Sequence, residues 1–165
     1  MNKYLLVRTD MKEITSSIYL DLKKAQKELI KEFQKEIIRQ YQNHYNSDFD
    51  ELEIPEYDIA ELNTESAKLI EHDSDIKLLW KIIPVKVLTL DQFILIKTNG
   101  YTIETKLETS REKAMKSMEI NFEKEKKTIE KERNNYENIF TSIEQETAKV
   151  KKGAITSYLW RIVKI

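Results

Sequence analysis

Residues 109–150, TSREKAMKSMEINFEKEKKTIEKERNNYENIFTSIEQETAKV, decide the predicted fold because this long stretch contains neither proline nor glycine. Apolar residues recur in it every seven positions, at Met115, Phe122, Ile129, Tyr136, Ile143 and Val150. This spacing keeps one side of a helix facing a partner helix. The stretch therefore predicts a single helix of coiled-coil character, and these six residues are the candidate oligomer seam.

The length of this helix conflicts with its neighbours in the sequence. A helix of about 42 residues is about 63 Å long at 1.5 Å per residue. Strands are predicted on both sides of it, yet a sheet of about five strands is only about 19 Å wide. Two alternatives resolve the conflict: a break at Asn134-Asn135, or a continuous helix whose final strand pairs in a second chain. The unbroken seven-residue phase favours the continuous helix in a homodimer.

The remaining pattern predicts further strands and one more long helix. Ile14, Ile18 and Leu22 begin an apolar series at helical spacing that continues to Tyr45. Asn99-Gly100 is typical of a β-hairpin turn. We predict strands at residues 3–8, 85–90, 93–98, 101–107 and 155–165, a short helix after Asn63, and long helices over residues 10–45 and 109–150.

These elements predict a single α+β domain over residues 1–165, with a protruding helical region at about 109–150. Its fold class is a small, mostly antiparallel sheet of about five strands with two long amphipathic helices, the second coiled-coil-like. The chain has 165 residues, of which 35% are charged, and no cysteine. No apolar run approaches the ~18–20 residues that span a bilayer. We expect a cytoplasmic protein that does not bind membranes.

The acidic residues are concentrated in one part of the chain. Between Asp48 and Asp75 there are eleven acidic residues and one basic residue, Lys68. Such a segment is either a solvated connector or a surface that binds a basic protein partner. The candidate partner-binding residues are Asp48, Asp50, Glu51, Glu53, Glu56, Asp58 and Glu61.

Basic and aromatic residues lie together near the C-terminal end of the sequence. Lys149, Lys151, Lys152 and Arg161 could contact phosphates, and Tyr158 and Trp160 could stack on bases. Basic residues ending a helix, followed by an aromatic strand in a sheet core, explain the same pattern. Nucleic-acid binding is therefore an alternative function.

Few residues suggest catalysis. Arg39 and His44 have the Arg-x4-His spacing of HEPN-type ribonucleases, which this short motif resembles. The resemblance implies RNA cleavage on a four-helix fold, and the several strand signals depart from that fold. The sequence has no glycine-rich nucleotide loop, and the polar loop from Glu71 to Asp75 lacks the glycine of a calcium site. We predict no cofactor and no metal.

These patterns favour a non-enzymatic protein-interaction module over an enzyme. Its expected form is a homodimer joined through the heptad helix. The residue composition, rich in Lys, Glu, Ile and Asn, suggests an AT-rich genome and hence a small inhibitor or accessory factor of phage or mobile-element type. A nucleic-acid-binding protein and a HEPN-like ribonuclease are the two alternatives.

Overall fold

The computed structural model describes residues 2–45, 59–71, 76–86, 91–131, 138–153 and 155–165. Within them the chain forms ten strands and two helices: β1 (Asn2–Thr9), β2 (Ile14–Tyr19), α1 (Leu22–Tyr45), β3 (Ile59–Leu62), β4 (Ser66–Glu71), β5 (Ile76–Lys86), β6 (Phe93–Thr98), β7 (Ile103–Glu108), α2 (Arg111–Lys131), β8 (Ile139–Glu144), β9 (Thr147–Lys152) and β10 (Ile155–Lys164). The strands build two five-stranded antiparallel sheets. Sheet A has the order β2-β1-β5-β4-β3, and sheet B has the order β7-β6-β10-β9-β8.

The two sheets pack face to face, and each carries one helix on its other face. Alternation along the strands divides the apolar residues between these two layers. In β1, Leu5 and Val7 enter the core between the sheets, while Leu6 faces α1. Sheet B pairs with α2 in the same way, through a core that includes Met118 and Phe122. The layers therefore run helix, sheet, sheet, helix.

The chain consists of two equivalent halves. Residues 2–86 and 93–164 have the same element order and the same strand order, a ββαβββ unit in each half. Individual hydrogen bonds are equivalent in the two halves as well. Thr9 Oγ1 accepts from the Met11 amide, and Thr98 Oγ1 accepts from the Gly100 amide, each at 3.2 Å. The fold is an internal duplication.

The packing of each helix on its sheet is duplicated as well. Trp80 of β5 meets Phe33 edge-to-face, with ring centroids 5.9 Å apart. The equivalent Trp160 of β10 meets Phe122 edge-to-face at 5.8 Å. The sequence repeats at these strands, with ESAKL at 65–69 matched by ETAKV at 146–150 and LLWKI at 78–82 matched by YLWRI at 158–162.

Two basic side chains at equivalent positions, one in each half, donate a hydrogen bond to the other half. Lys81 Nζ of β5 donates to the carbonyl oxygen of Ile103 at 3.0 Å. The Arg161 guanidinium of β10 donates to the carbonyl oxygen of Ile14. Ile14 and Ile103 are themselves equivalent, since each begins the second strand of its half. Each half therefore binds the first hairpin of the other.

The predicted fold class is wrong, because the described chain has two five-stranded sheets rather than one small sheet with two long helices. Helix α2 ends at Lys131, and the residues from Ile139 onward form the β8–β9 hairpin. Residues 14–19, predicted as the start of α1, form β2. A spacing of four, as in Ile14/Ile18 and Ile139/Ile143, places two residues on one face of a helix and also of a strand.

The structure also bears on three local predictions: a hairpin turn, a short helix and a helix break. The hairpin at Asn99-Gly100 is confirmed, with Gly100 at φ 84° and Asn99 Oδ1 accepting from the amides of Tyr101 and Thr102. The short helix predicted after Asn63 is wrong, because residues 66–71 form β4. The predicted break at Asn134-Asn135 lies outside the described residues.

Among the described residues, one hydrogen bond of the first half has no counterpart in the second half. Trp80 Nε1 donates to Glu32 Oε2 at 3.0 Å. Trp160 Nε1 is buried and has no hydrogen-bond partner within the described residues. The residue of α2 equivalent to Glu32 is Asn121, whose amide donates to the Ser117 carbonyl oxygen at 2.8 Å.

We predict that Asn121→Glu raises the free energy of unfolding by about 1 kcal/mol, because a carboxylate there can accept from Trp160 Nε1. Asn121→Met, which offers no such acceptor, is the matched control and gives no gain. Urea denaturation followed by tryptophan fluorescence measures both. Equal stability of the two variants would contradict the prediction.

Candidate functional site: the edge strand β8

The two sheets end in four edge strands, β2 and β3 in sheet A and β7 and β8 in sheet B. The unpaired backbone amides and carbonyls of an edge strand can bond a strand from another chain. Charged side chains, short length and covering groups prevent such pairing. The four edges differ sharply in these protections.

The β7 edge carries three charged residues, Glu104, Lys106 and Glu108. Lys106 Nζ lies 2.7 Å from a Glu108 carboxylate oxygen, and Glu104 lies 3.7 Å from Lys97 Nζ. Hydrogen bonds from Lys106 and Ser117 hold the pKa of Glu108 below its ordinary value, so this carboxylate stays ionised. A partner strand would have to approach these charges, which disfavours pairing at β7.

The sheet A edges are protected differently. Strand β3 has only four residues, and its Glu61 carboxylate lies 3.9 Å from Lys68 Nζ. Strand β2 is uncharged, and basic side chains of sheet B bind backbone carbonyl oxygens at its first residue and just before it. Arg161 donates to the Ile14 carbonyl oxygen, and Lys149 Nζ donates to that of Lys12 at 3.0 Å.

Strand β8, in contrast, carries none of these protections over residues 139–143 in the part of the chain that the structure describes. Its first five residues, IFTSI at 139–143, carry no charge, and it pairs with β9 alone among the described strands. Phe140 is 56% exposed and Ile143 is 42% exposed, and they lie on opposite faces of the strand. β-Branched and aromatic residues of this kind suit a paired strand rather than a free edge.

The β8–β9 hairpin sets the direction of the backbone groups of β8. Glu144 pairs with Thr147 across the tight turn at Gln145-Glu146, and the Gly153 amide donates to the Asn138 carbonyl oxygen at 2.8 Å. Even-numbered residues therefore bond to β9. By alternation, the amides and carbonyls of Ile139, Thr141 and Ile143 point away from the sheet.

A cleft borders this edge on the side facing sheet A. It has a volume of about 730 Å³ and lies between residues 12–14 and strands β8 to β10. Ser142 and Lys149 line it and also a smaller cleft of about 350 Å³ beside Phe140. A strand added to β8 would have open space for its side chains on this face.

The six residues of the predicted oligomer seam do not form one helical face. Phe122 and Ile129 are buried and Met115 is partly buried, and all three pack between α2 and sheet B. Val150 is buried in the same core from β9, whereas Ile143 is exposed on β8. Tyr136 lies outside the described residues. A homodimer stays a prediction, but its two chains cannot pair through these six residues on one continuous helix.

The predicted acidic surface lies almost entirely outside the described residues, namely Asp48, Asp50, Glu51, Glu53, Glu56 and Asp58. Glu61 alone is described, as an exposed residue of β3. The role of this segment as a partner-binding surface stays a prediction.

The fold places three of the four predicted nucleic-acid contacts on one side of sheet B. Lys149 and Arg161 are bound to backbone carbonyl oxygens of residues 12 and 14. Lys151 shares their side of the sheet, while Lys152 lies on the opposite face of β9. Trp160 is fully buried and stacks on Tyr158 at 5.7 Å, so its ring offers no surface to a base.

The HEPN-type motif lies on α1, where Arg39 forms a salt bridge with Glu36. The side chain of His44 and the whole of His72 lie outside the described structure. The four-helix fold that the resemblance implies differs from the ten strands and two helices of the described chain. A search of the described residues for groups of His, Cys, Asp and Glu that could hold a metal finds none. Neither described helix has the length and apolar character to cross a membrane.

No protein-family model, no curated protein and no solved structure matches this chain.

One buried carboxylate in each half is paired with a basic residue on the adjacent strand. Glu36 lies 3.5 Å from Arg8, and Glu125 lies 2.8 Å from Lys97. Burial alone would raise the pKa of the Glu125 carboxyl, but the hydrogen bond and charge of Lys97 outweigh burial and hold that pKa below its ordinary value. Because both halves contain such a pair, its role is to join helix to sheet.

We predict that Lys97→Met lowers the free energy of unfolding by about 2–3 kcal/mol at pH 7, since Glu125 would remain buried without its cation. The folded-state pKa of Glu125 lies below the unfolded value of about 4.3. The pair therefore stabilises the fold above that pH, and its contribution is lost as the pH falls through the folded-state pKa.

Urea denaturation at pH 7 and at a series of lower pH values tests this, because the difference between the two proteins should shrink as the pH falls through the folded-state pKa of Glu125. Lys164→Met, which removes an exposed lysine of sheet B whose partner Asp91 is also exposed, is the control with an effect under about 1 kcal/mol. A difference for Lys97→Met that is unchanged at low pH would contradict the assignment.

Proposed function

We propose that this protein is a non-enzymatic protein-interaction module that binds its partner by strand addition at β8. The observation that carries the proposal is the edge of β8 itself, IFTSI at 139–143, which is uncharged and exposes both Phe140 and Ile143. By comparison, β7 is charged, β3 is short, and β2 is bound at its first residue by Arg161. Strand addition uses backbone hydrogen bonds for affinity and alternate side chains for specificity.

The outward amides and carbonyls of Ile139, Thr141 and Ile143 would supply the hydrogen bonds. Phe140 would contact side chains of the added strand on the face of sheet B that borders the cleft. Ile143 would contact them on the face that carries α2. The equivalent edge of the other half, β3, has Glu61 where β8 has Ser142, and it is two residues shorter than β8. The two halves therefore differ at the edge that the proposal uses.

We predict that Thr141→Pro abolishes capture of the partner from extracts of the source organism. The Thr141 amide points outward, so proline removes a donor to the partner while the hydrogen bonds to β9 remain. Ala60→Pro, at the equivalent outward position of β3, is the matched control and retains capture. Affinity purification with quantitative mass spectrometry measures both variants. Capture that survives Thr141→Pro unchanged would contradict strand addition at β8.

A further inference from the structure

Strand β8 is complementary to itself. In an antiparallel pair of two β8 strands related by a two-fold axis at Thr141, Ile139 lies opposite Ile143 of the second copy and Thr141 lies opposite Thr141. All three are the residues whose amides and carbonyls point outward, so each opposed pair exchanges two hydrogen bonds. No charged residue is opposed within this stretch.

Two other alignments keep outward residues opposed, but each pairs only two of the three outward residues of β8. A two-fold axis at Ser142 would place Phe140 opposite Glu144 of the second copy and leave Ile139 without an outward partner in β8. An axis at Phe140 would leave Ile143 without an outward partner in β8. Alignments shifted by a single residue place outward groups against inward ones and break the hydrogen-bond pattern. The axis at Thr141 is therefore the alignment that pairs all three outward residues of β8, and it opposes no charged residue among 139–143.

We infer that β8 binds a second copy of this chain, with the two-fold axis at Thr141, so that sheet B of each copy joins into one continuous sheet. The inference rests on the proposed function and names the partner of the same edge. Such an interface is isologous, so it closes at two copies. The charges on β7 and the short length of β3 disfavour further growth of the assembly at those edges.

Light scattering over a concentration series tests the dimer. The expected result is a concentration-dependent rise from the 19.7 kDa chain mass to twice that mass. Thr141→Lys should keep the protein monomeric, because two lysines would oppose each other at the axis. Ala60→Lys, on the equivalent edge β3, is the matched control and should dimerise like the wild type.

A mixture of two variants with opposite charges at position 141 tests the position of the two-fold axis. Thr141→Lys and Thr141→Glu should each be monomeric alone and should form a mixed dimer together, because position 141 faces itself. A wild-type protein that stays monomeric up to about 1 mM overturns the dimer. A dimer that withstands Thr141→Lys overturns the β8 interface, and disruption without rescue in the mixture overturns the axis at Thr141.

These outcomes separate the inference from the proposed function. A monomeric wild type whose capture of another protein is lost with Thr141→Pro overturns the second copy as partner and leaves strand addition standing. If variants at Thr141 still dimerise and still capture the partner, both the dimer through β8 and strand addition at β8 are overturned.

Discussion

The structure depends on the apolar core between the two sheets. Each half presents one sheet face to its own helix and the other to the opposite half, so neither sheet is covered without its counterpart. The core residues come from both halves in equivalent positions, such as Val7 with Ile96 and Ile14 with Ile103. Lys81 and Arg161 add a reciprocal polar contact at the margin of this core.

The two halves agree where side chains are buried and differ at the sheet edges. Buried positions on the helices correspond closely: Ala25 with Ala114, Leu29 with Met118 and Phe33 with Phe122. The edges diverge, since β7 is charged where β2 is not, and β8 is uncharged where β3 carries Glu61. Packing constrains the core equally in both halves, whereas an edge is free to acquire a partner.

Part of this fold could be predicted from the sequence. Strands at β1, β6, β7 and β10 follow from alternation and from the Asn99-Gly100 turn. The conflict between a helix of about 63 Å and a narrow sheet excludes one straight helix beside one sheet, but the continuous helix that the seven-residue phase favours is wrong, because α2 ends at Lys131. The repeat of LLWKI and YLWRI at matching places indicates the duplication, but the seven-residue spacing over 109–150 predicts a single helix where the second half has α2, β8 and β9. The candidate edge is not predicted for the same reason, since Phe140 and Thr141 lie inside the predicted helix.

The most direct test of the account is hydrogen–deuterium exchange of the β8 amides, resolved residue by residue, in dilute and concentrated protein. The account predicts that the amides of Ile139, Thr141 and Ile143 exchange quickly when dilute and become protected when concentrated. The amides of Phe140 and Ser142, already bonded to β9, should change much less. Fast exchange of the three outward amides at every concentration, or protection gained at β3 or β7 instead, would contradict pairing through β8.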